Sequence, residues 1–188
     1  IRYNYFMSEN HKKIWITGAS SGIGKAVAEN FAEEGWQVAI SARTGDKLDK
    51  IAHHPNIFSF PLDVTIKKDC TRVFQDIIDK FKKIDLCILC SGTYDPNKEN
   101  EINLEQIKYV LDVNYFGVLN CVKSVEKYFK EKGQGHISIV SSIAGYRGLP
   151  NSSGYGPSKA ALTNFTESIY FDFKKYNVRV SLVSPGFI

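Results

Sequence analysis

The chain has 188 residues, 43% hydrophobic and 13% aromatic, enough for one domain with a sizeable core and short for two. Charged residues make up 23% with a net of only +4, a mixture that excludes a disordered chain and a dedicated nucleic-acid arm. No stretch reaches the ~20 apolar residues of a membrane span, and residues 1–13 lack the basic and apolar regions of a signal peptide. A soluble, cytoplasmic protein is expected, with no nucleic-acid or membrane partner. Four cysteines, Cys70, Cys87, Cys90 and Cys121, sit in apolar or helical runs and indicate a reducing compartment rather than a disulfide framework.

Residues 1–12 are expected to form a partly disordered N-terminal extension, with the six residues before Met7 standing outside the fold. From residue 13, short apolar runs alternate with stretches of helical period. Strands are expected at residues 14–16, 38–40, 57–60, 85–90, 136–140 and 178–183. Between them come a helix from about Ile23, a short second helix, and helices near residues 67–81, 104–130 and 155–176. Strands that are apolar almost throughout suit a parallel sheet covered on both faces. Residues 13–188 are therefore expected to form a single doubly wound, mostly parallel α/β domain of the Rossmann type, three layers thick, with ligands beyond the carboxyl ends of its strands. Residues 92–103, which include Pro96, read as a surface loop.

Between the first strand and helix lies Thr17-Gly18-Ala19-Ser20-Ser21-Gly22-Ile23-Gly24. Its glycines let backbone approach a ligand, and its amides open at a helix N-terminus, where a pyrophosphate is favoured. The spacing departs from the Gly-x-Gly-x2-Gly fingerprint, and an ordinary turn is the plainer alternative. At the end of the second strand, where NAD-selective folds place an acid, stand Ser41-Ala42-Arg43. A guanidinium suits a 2′-phosphate, so NADP is expected ahead of NAD. The alternative is that Arg43 is a solvated loop residue.

Tyr155 and Lys159, four apart at a helix start, share one face, so the ammonium favours the phenolate and brings the phenol toward neutral proton exchange. Ser142 follows the fifth strand at its carboxyl end, where a hydroxyl can hold a substrate oxygen. With these residues on the page, the sequence resembles the short-chain dehydrogenase/reductase family over about residues 12–188. The family's motifs occur in order: the glycine-rich turn, Asp63-Val64, Asn114, Ser142, Tyr155-x3-Lys159 and Pro185-Gly186.

The resemblance implies an oxidoreductase that moves a hydride between NADP(H) and a carbonyl or alcohol substrate, with Tyr155 as general acid/base. Lys159 would lower the pKa of Tyr155 and hold the nicotinamide ribose, Ser142 would orient the reacting oxygen, and Asn114 would kink its helix and hold a relay water. Gly18, Ser20, Ser21, Gly22, Ile23 and Gly24 would bind the cofactor together with Arg43, Asp63, Val64, Ser91, Gly92, Tyr155, Lys159, Pro185 and Gly186. Asp63 would accept from the adenine amino group, and Pro185 and Gly186 would flank the nicotinamide. A homodimer or homotetramer is implied by analogy, with Phe165, Ile169, Tyr170 and Phe173 supplying apolar surface on the last helix and a monomer as the alternative.

Two departures stand out. The family's Asn-Asn-Ala-Gly is here Leu89-Cys90-Ser91-Gly92, which loses both amides. The family's threonine after Pro-Gly, its substrate loop and its last strand are expected beyond Ile188, which makes the chain either a fragment or a form without a lid. A non-catalytic dinucleotide-binding or interaction protein of the same fold is the rival reading. Thr93, Tyr94, Gly145, Tyr146, Arg147 and Leu149 are candidates for the substrate pocket. Cys87 and Cys90 read as packing residues, not a redox pair, the His53-His54 pair reads as a surface turn, and no metal site is expected.

Overall fold

The computed structural model describes residues 12–186. The expected extension at residues 1–12 therefore lies outside the described residues except for Lys12, as do residues 187–188. Six strands, β1 (Lys13–Thr17), β2 (Gln37–Ser41), β3 (Ile57–Ser59), β4 (Leu86–Leu89), β5 (Gly135–Val140) and β6 (Val178–Val183), form one sheet. Its order is β3-β2-β1-β4-β5-β6 and every pairing is parallel, with Ile14 opposite both Val38 and Leu86. The expected doubly wound Rossmann architecture is the one observed.

Side chains alternate across the sheet because successive Cβ atoms point to opposite faces. On β1, Trp15 packs with Phe74, Ile77 and Phe81 of α3 (Lys67–Phe81), while Ile14 and Ile16 pack with Ala28 and Ala32 of α1 (Gly22–Glu33). The second layer on the α1 side is extended by α2 (Gly45–Asp49), whose Leu48 is fully buried. Each such apolar side chain contributes roughly 1.5–3 kcal/mol when fully buried. Helix α3 buries Cys70, Val73, Phe74, Ile77 and Phe81, the i, i+3, i+4, i+7 pattern of one helical face.

The long helix expected at residues 104–130 is instead α4 (Leu104–Leu111), a π-turn (Asp112–Phe116) and α5 (Gly117–Lys132). A π-turn inserts one residue into the helical path, which periodicity cannot register because the apolar pattern resumes on the far side. Its effect is to turn Asn114 fully inward. The last helix, α6 (Tyr155–Lys174), packs against β6 and against the 3-10 turn Ile143–Gly145 that follows β5. The segment 92–103 is irregular as expected, yet it is not wholly a surface loop: Glu99 is only 3% exposed, because its carboxylate accepts two backbone N–H groups of the α6 N-terminus. Among the described residues no helix is long and apolar enough to cross a membrane.

Candidate active site

The winding of the sheet reverses between β1 and β4, and a crevice opens at the carboxyl ends of these two strands. Its floor is the glycine-rich turn. Gly18 has φ +69°, and a Cβ there would stand 2.7 Å from the Cys90 carbonyl oxygen; a Cβ on Gly24 would stand 2.5 Å from the Gly18 carbonyl oxygen. Only glycine permits these approaches, which draw the turn against β4 and the start of α1 against the turn. Ser21 makes no side-chain cap to α1, so its hydroxyl is not spent on that helix end. A phosphate group fits this donor set.

Thr17 fastens the segment that follows β4. Its buried Oγ1 accepts from the N–H groups of Cys90 and Ser91 at 3.2 and 3.3 Å, tying the segment after β4 to β1. Cys90 itself lines the crevice, and burial pushes its thiol pKa up. Cys87, three residues earlier, is in the core, so the two thiols do not form a pair.

Arg43 lies at the rim of the same crevice, where its Nη1 donates to the Tyr109 hydroxyl at 3.1 Å. Lys47, one turn into α2, lines the crevice too and was not singled out from sequence. Only the packing of α2 beside the second strand brings it there. Asp63 and Val64 line the opposite wall, with Asp63 Oδ1 accepting from the N–H and hydroxyl of Thr65. Ser91 and Gly92 complete that wall.

A second cavity of about 430 Å³ is lined by Ser142, Tyr155, Tyr94 and Leu149, and reaches the glycine-rich turn at Ile23 and the segment after β6 at Pro185 and Gly186. Tyr94 stacks on Tyr155 with ring centroids 4.6 Å apart. Thr93, Gly145, Tyr146 and Arg147 are not part of this lining. Gly145 instead packs on the α6 backbone, where a Cβ would be 2.9 Å from the Lys159 carbonyl group, and the Tyr146 hydroxyl pairs with Ser184.

Lys159 is 4% exposed, its Nζ donates to the Val140 carbonyl at 3.0 Å, and it stands 5.7 Å from the Tyr155 ring centroid. Desolvation by burial pulls its pKa down to about 8. Asn114 accepts from Thr93 N and donates to Thr93 O and Ser158 Oγ, so it joins the loop after β4 to α6. A Cβ built on Gly92 would lie 3.6 Å from both Asn114 Oδ1 and Lys159 Nζ, which shows how closely the three converge. Ser142 accepts from Ala144 N with its Oγ and faces the cavity from the start of the 3-10 turn. No group of three or more potential metal ligands occurs among the described residues. What the arrangement can do is exchange a proton from a phenol beside a buried ammonium, next to a crevice whose glycine-rich floor fits a phosphate group.

Known proteins share this sequence and this fold. The short chain dehydrogenase family profile matches residues 12–188. An uncharacterised oxidoreductase of Staphylococcus epidermidis is 30% identical over 175 residues, covering 92% of this chain and 76% of its own length. The structure of ElxO with NADP bound superimposes with a TM-score of 0.88 at 27% identity, covering 94% of this chain and 74% of that one. The NAD+-bound xylitol dehydrogenase structure gives 0.86 at 29% identity, covering 96% and 72%. The chain spans between 54% and 76% of the length of such curated relatives.

Proposed function

The chain belongs to the short-chain dehydrogenase family of oxidoreductases, and we propose that it transfers a hydride between NADP(H) and the carbon of a carbonyl or alcohol substrate. The observation that carries this reading is the buried Lys159 ammonium beside the Tyr155 ring, which lines a cavity that reaches the glycine-rich turn at Ile23. When bound, the nicotinamide supplies or accepts the hydride. In the reducing direction Tyr155 gives its phenolic proton to the carbonyl oxygen. Ser142 hydrogen-bonds to the same oxygen and fixes its position. Lys159 stabilises the resulting phenolate and donates to the ribose, and Asn114 holds the water through which the tyrosine regains its proton.

On the adenosine side, Arg43 and Lys47 favour the 2′-phosphate, and Asp63 accepts from the adenine amino group while Val64 packs beside the ring. Similarity to an NADP-bound and to an NAD+-bound structure is compatible with either cofactor, so the two cations carry the preference. The substrate cavity presents no charged side chain among its lining, which favours neutral carbonyl compounds. Four unpaired cysteines favour a reducing compartment such as the cytoplasm.

A homodimer or homotetramer fits the outer face. Phe116 and Phe171 are 52% and 66% exposed, and a groove of about 370 Å³ between α5 and α6 sets Phe116, Leu119, Phe165 and Ile169 among the charged Lys67, Lys123, Glu126 and Asp172. Light scattering at micromolar concentration should read a dimer or tetramer, and a monomer would remove this assignment. The reading of function is tested by following NADPH consumption with a panel of neutral aldehydes, ketones and quinones. Oxidation of NADPH with at least one of them supports it, and inertness toward all, with NADPH demonstrably bound, favours a non-catalytic dinucleotide-binding protein.

A further inference from the structure

Glycine at the N-cap gives α6 no capping side chain at that position. Two other groups do so. Ser152 accepts from Gly156 N with its Oγ at 2.9 Å, and Glu99, more than fifty residues upstream, accepts from Gly154 N at 2.8 Å and from Tyr155 N at 2.9 Å through one carboxylate oxygen, Oε2. The other oxygen, Oε1, is buried without a hydrogen-bond partner among the described residues. Burying a carboxylate in this way is costly, and the two charge-assisted bonds and the positive end of the helix offset that cost only while the geometry is kept.

The same loop touches the tyrosine in two further ways. The Tyr94 ring stacks on the Tyr155 ring, and the Tyr94 hydroxyl donates to the Asn151 carbonyl at 3.0 Å, just ahead of the helix. Gly154 is held close as well, since a Cβ there would be 3.2 Å from Ile107 Cα on α4 and 3.5 Å from Glu99 Oε2. The Glu99 carboxylate thus holds the Tyr155 amide nitrogen, the atom next to the Cα that bears the side chain, so a shift there displaces the phenol. Lys159 is anchored separately, by its own bond to Val140 O, and the Ser141 hydroxyl holds its carbonyl.

We infer that Glu99 is a positioning residue for Tyr155, setting the phenol against the substrate oxygen through the Gly154 and Tyr155 amides. The inference rests on the proposed role of Tyr155 in proton transfer. It predicts an effect on turnover larger than that on cofactor affinity, because the lining of the glycine-rich crevice includes no residue of α6 and Lys159 is anchored by its own bond to Val140 O. Displacements of the order of 1 Å can cost on the order of a hundredfold in rate.

The test compares the parent with Glu99→Ala, Glu99→Asp and Glu99→Gln. NADPH is the cofactor probe, 4-nitrobenzaldehyde, 9,10-phenanthrenequinone and cyclohexanone are the carbonyl probes, and kcat is counted per NADPH-binding site so that misfolded protein does not enter. Glu99→Ala should lower kcat at least tenfold and Glu99→Asp, whose carboxylate falls short by one methylene, at least about fivefold, with NADPH Kd within twofold of the parent. Glu99→Gln keeps an oxygen for both amides and should recover kcat to within about threefold. Amide hydrogen exchange at Gly154 and Tyr155 should accelerate in the Ala and Asp variants and not in Gln. Should the Ala variant fail to fold, the Asp and Gln pair decides alone. A parental kcat in Glu99→Asp, or a Gln variant no better than Asp, overturns the inference while leaving the function intact. A parent that binds NADPH and reduces none of the probes, with Tyr155→Phe indistinguishable from it, overturns both.

Discussion

The Lys159 ammonium lies 5.7 Å from the centroid of the Tyr155 ring and is bonded to the Val140 carbonyl, one turn of α6 below the phenol and almost out of contact with solvent. Burial weakens the cation's hold on its own proton.

Replacing Tyr155 by phenylalanine removes the proton donor and leaves the ring that stacks on Tyr94. Turnover should fall by about 10²–10⁴-fold, the usual share of general acid–base catalysis. NADPH affinity, read by quenching of protein fluorescence, should stay within about twofold, because the glycine turn and Arg43 are untouched. A variant that keeps most of its activity would remove Tyr155 from the mechanism.

A pKa of about 8 for Lys159 makes two measurable statements. Above that pH the ammonium loses its proton, so NADPH binding and kcat should decline through an apparent pKa near 8, and the decline in binding should be absent from Lys159→Met. Stability moves the other way. The group's folded pKa is depressed below the ordinary lysine value, so between about 8 and about 10.5 the unfolded chain holds a proton that the folded chain has released, and folding is favoured as pH rises through that window. Urea unfolding without cofactor should show the parent gaining stability from pH 8 to pH 10 relative to Lys159→Met. A flat difference would mean that the lysine is better solvated than its burial indicates.

The sheet was legible in the sequence because its strands are apolar on both faces, and the observed strand limits differ from those expected by a residue or so. The π-turn was not legible, since inserting a residue between Val110 and Val118 leaves each flank with a normal helical pattern. For the candidate site, Gly18, Ser142 and Tyr155 can be named from the sequence, by the glycine-rich turn, the end of the fifth strand and the Tyr-x3-Lys spacing. Tyr109 and Glu99 carry no such signal, because only packing closes the distance to their partners: Tyr109 sits 66 residues from the Arg43 it bonds, and Glu99 sits 55 from Gly154, while Lys47 lies close to Arg43 in sequence but belongs to no motif. Glutamate in a polar, proline-containing loop carries no signal of burial, as the two amides that make burial tolerable belong to another element.

Cofactor choice should follow Arg43 and Lys47 together. A 2′-phosphate meets two cations here and no carboxylate at Ala42, so NADP should bind more tightly than NAD by on the order of ten- to a hundredfold. Arg43→Ala should remove most of that difference and Lys47→Ala a smaller part, because lysine acts as a solvated point charge while the guanidinium offers two parallel donors. Tyr109→Phe should weaken NADP more than NAD by releasing the arginine it orients. Ala42→Asp should turn the preference toward NAD through repulsion of the 2′-phosphate. Titrating both cofactors against these proteins checks the set, and a preference that survives Arg43→Ala would exclude this rim as its source.

Thr17 offers a stability test of how the segment after the fourth strand is held. Its Oγ1 is the acceptor for both Cys90 N and Ser91 N, and the residue is 1% exposed. Thr17→Val keeps the shape of the side chain and removes the oxygen, which leaves two N–H groups facing a methyl. Unsatisfied buried donors cost about 1–3 kcal/mol each, so the variant should lose roughly 2 kcal/mol or more in urea unfolding at an unchanged m-value. Thr17→Ser retains the acceptor and should stay within about 1 kcal/mol of the parent, the loss being that of one methyl. The same bond holds Ser91 and Gly92 in register with Gly18, so NADPH affinity should weaken in Thr17→Val and not in Thr17→Ser. If the valine variant proves as stable as the serine one, the two amides must find another acceptor, and the attachment of this loop to β1 would have to come from the close Gly18–Cys90 approach alone.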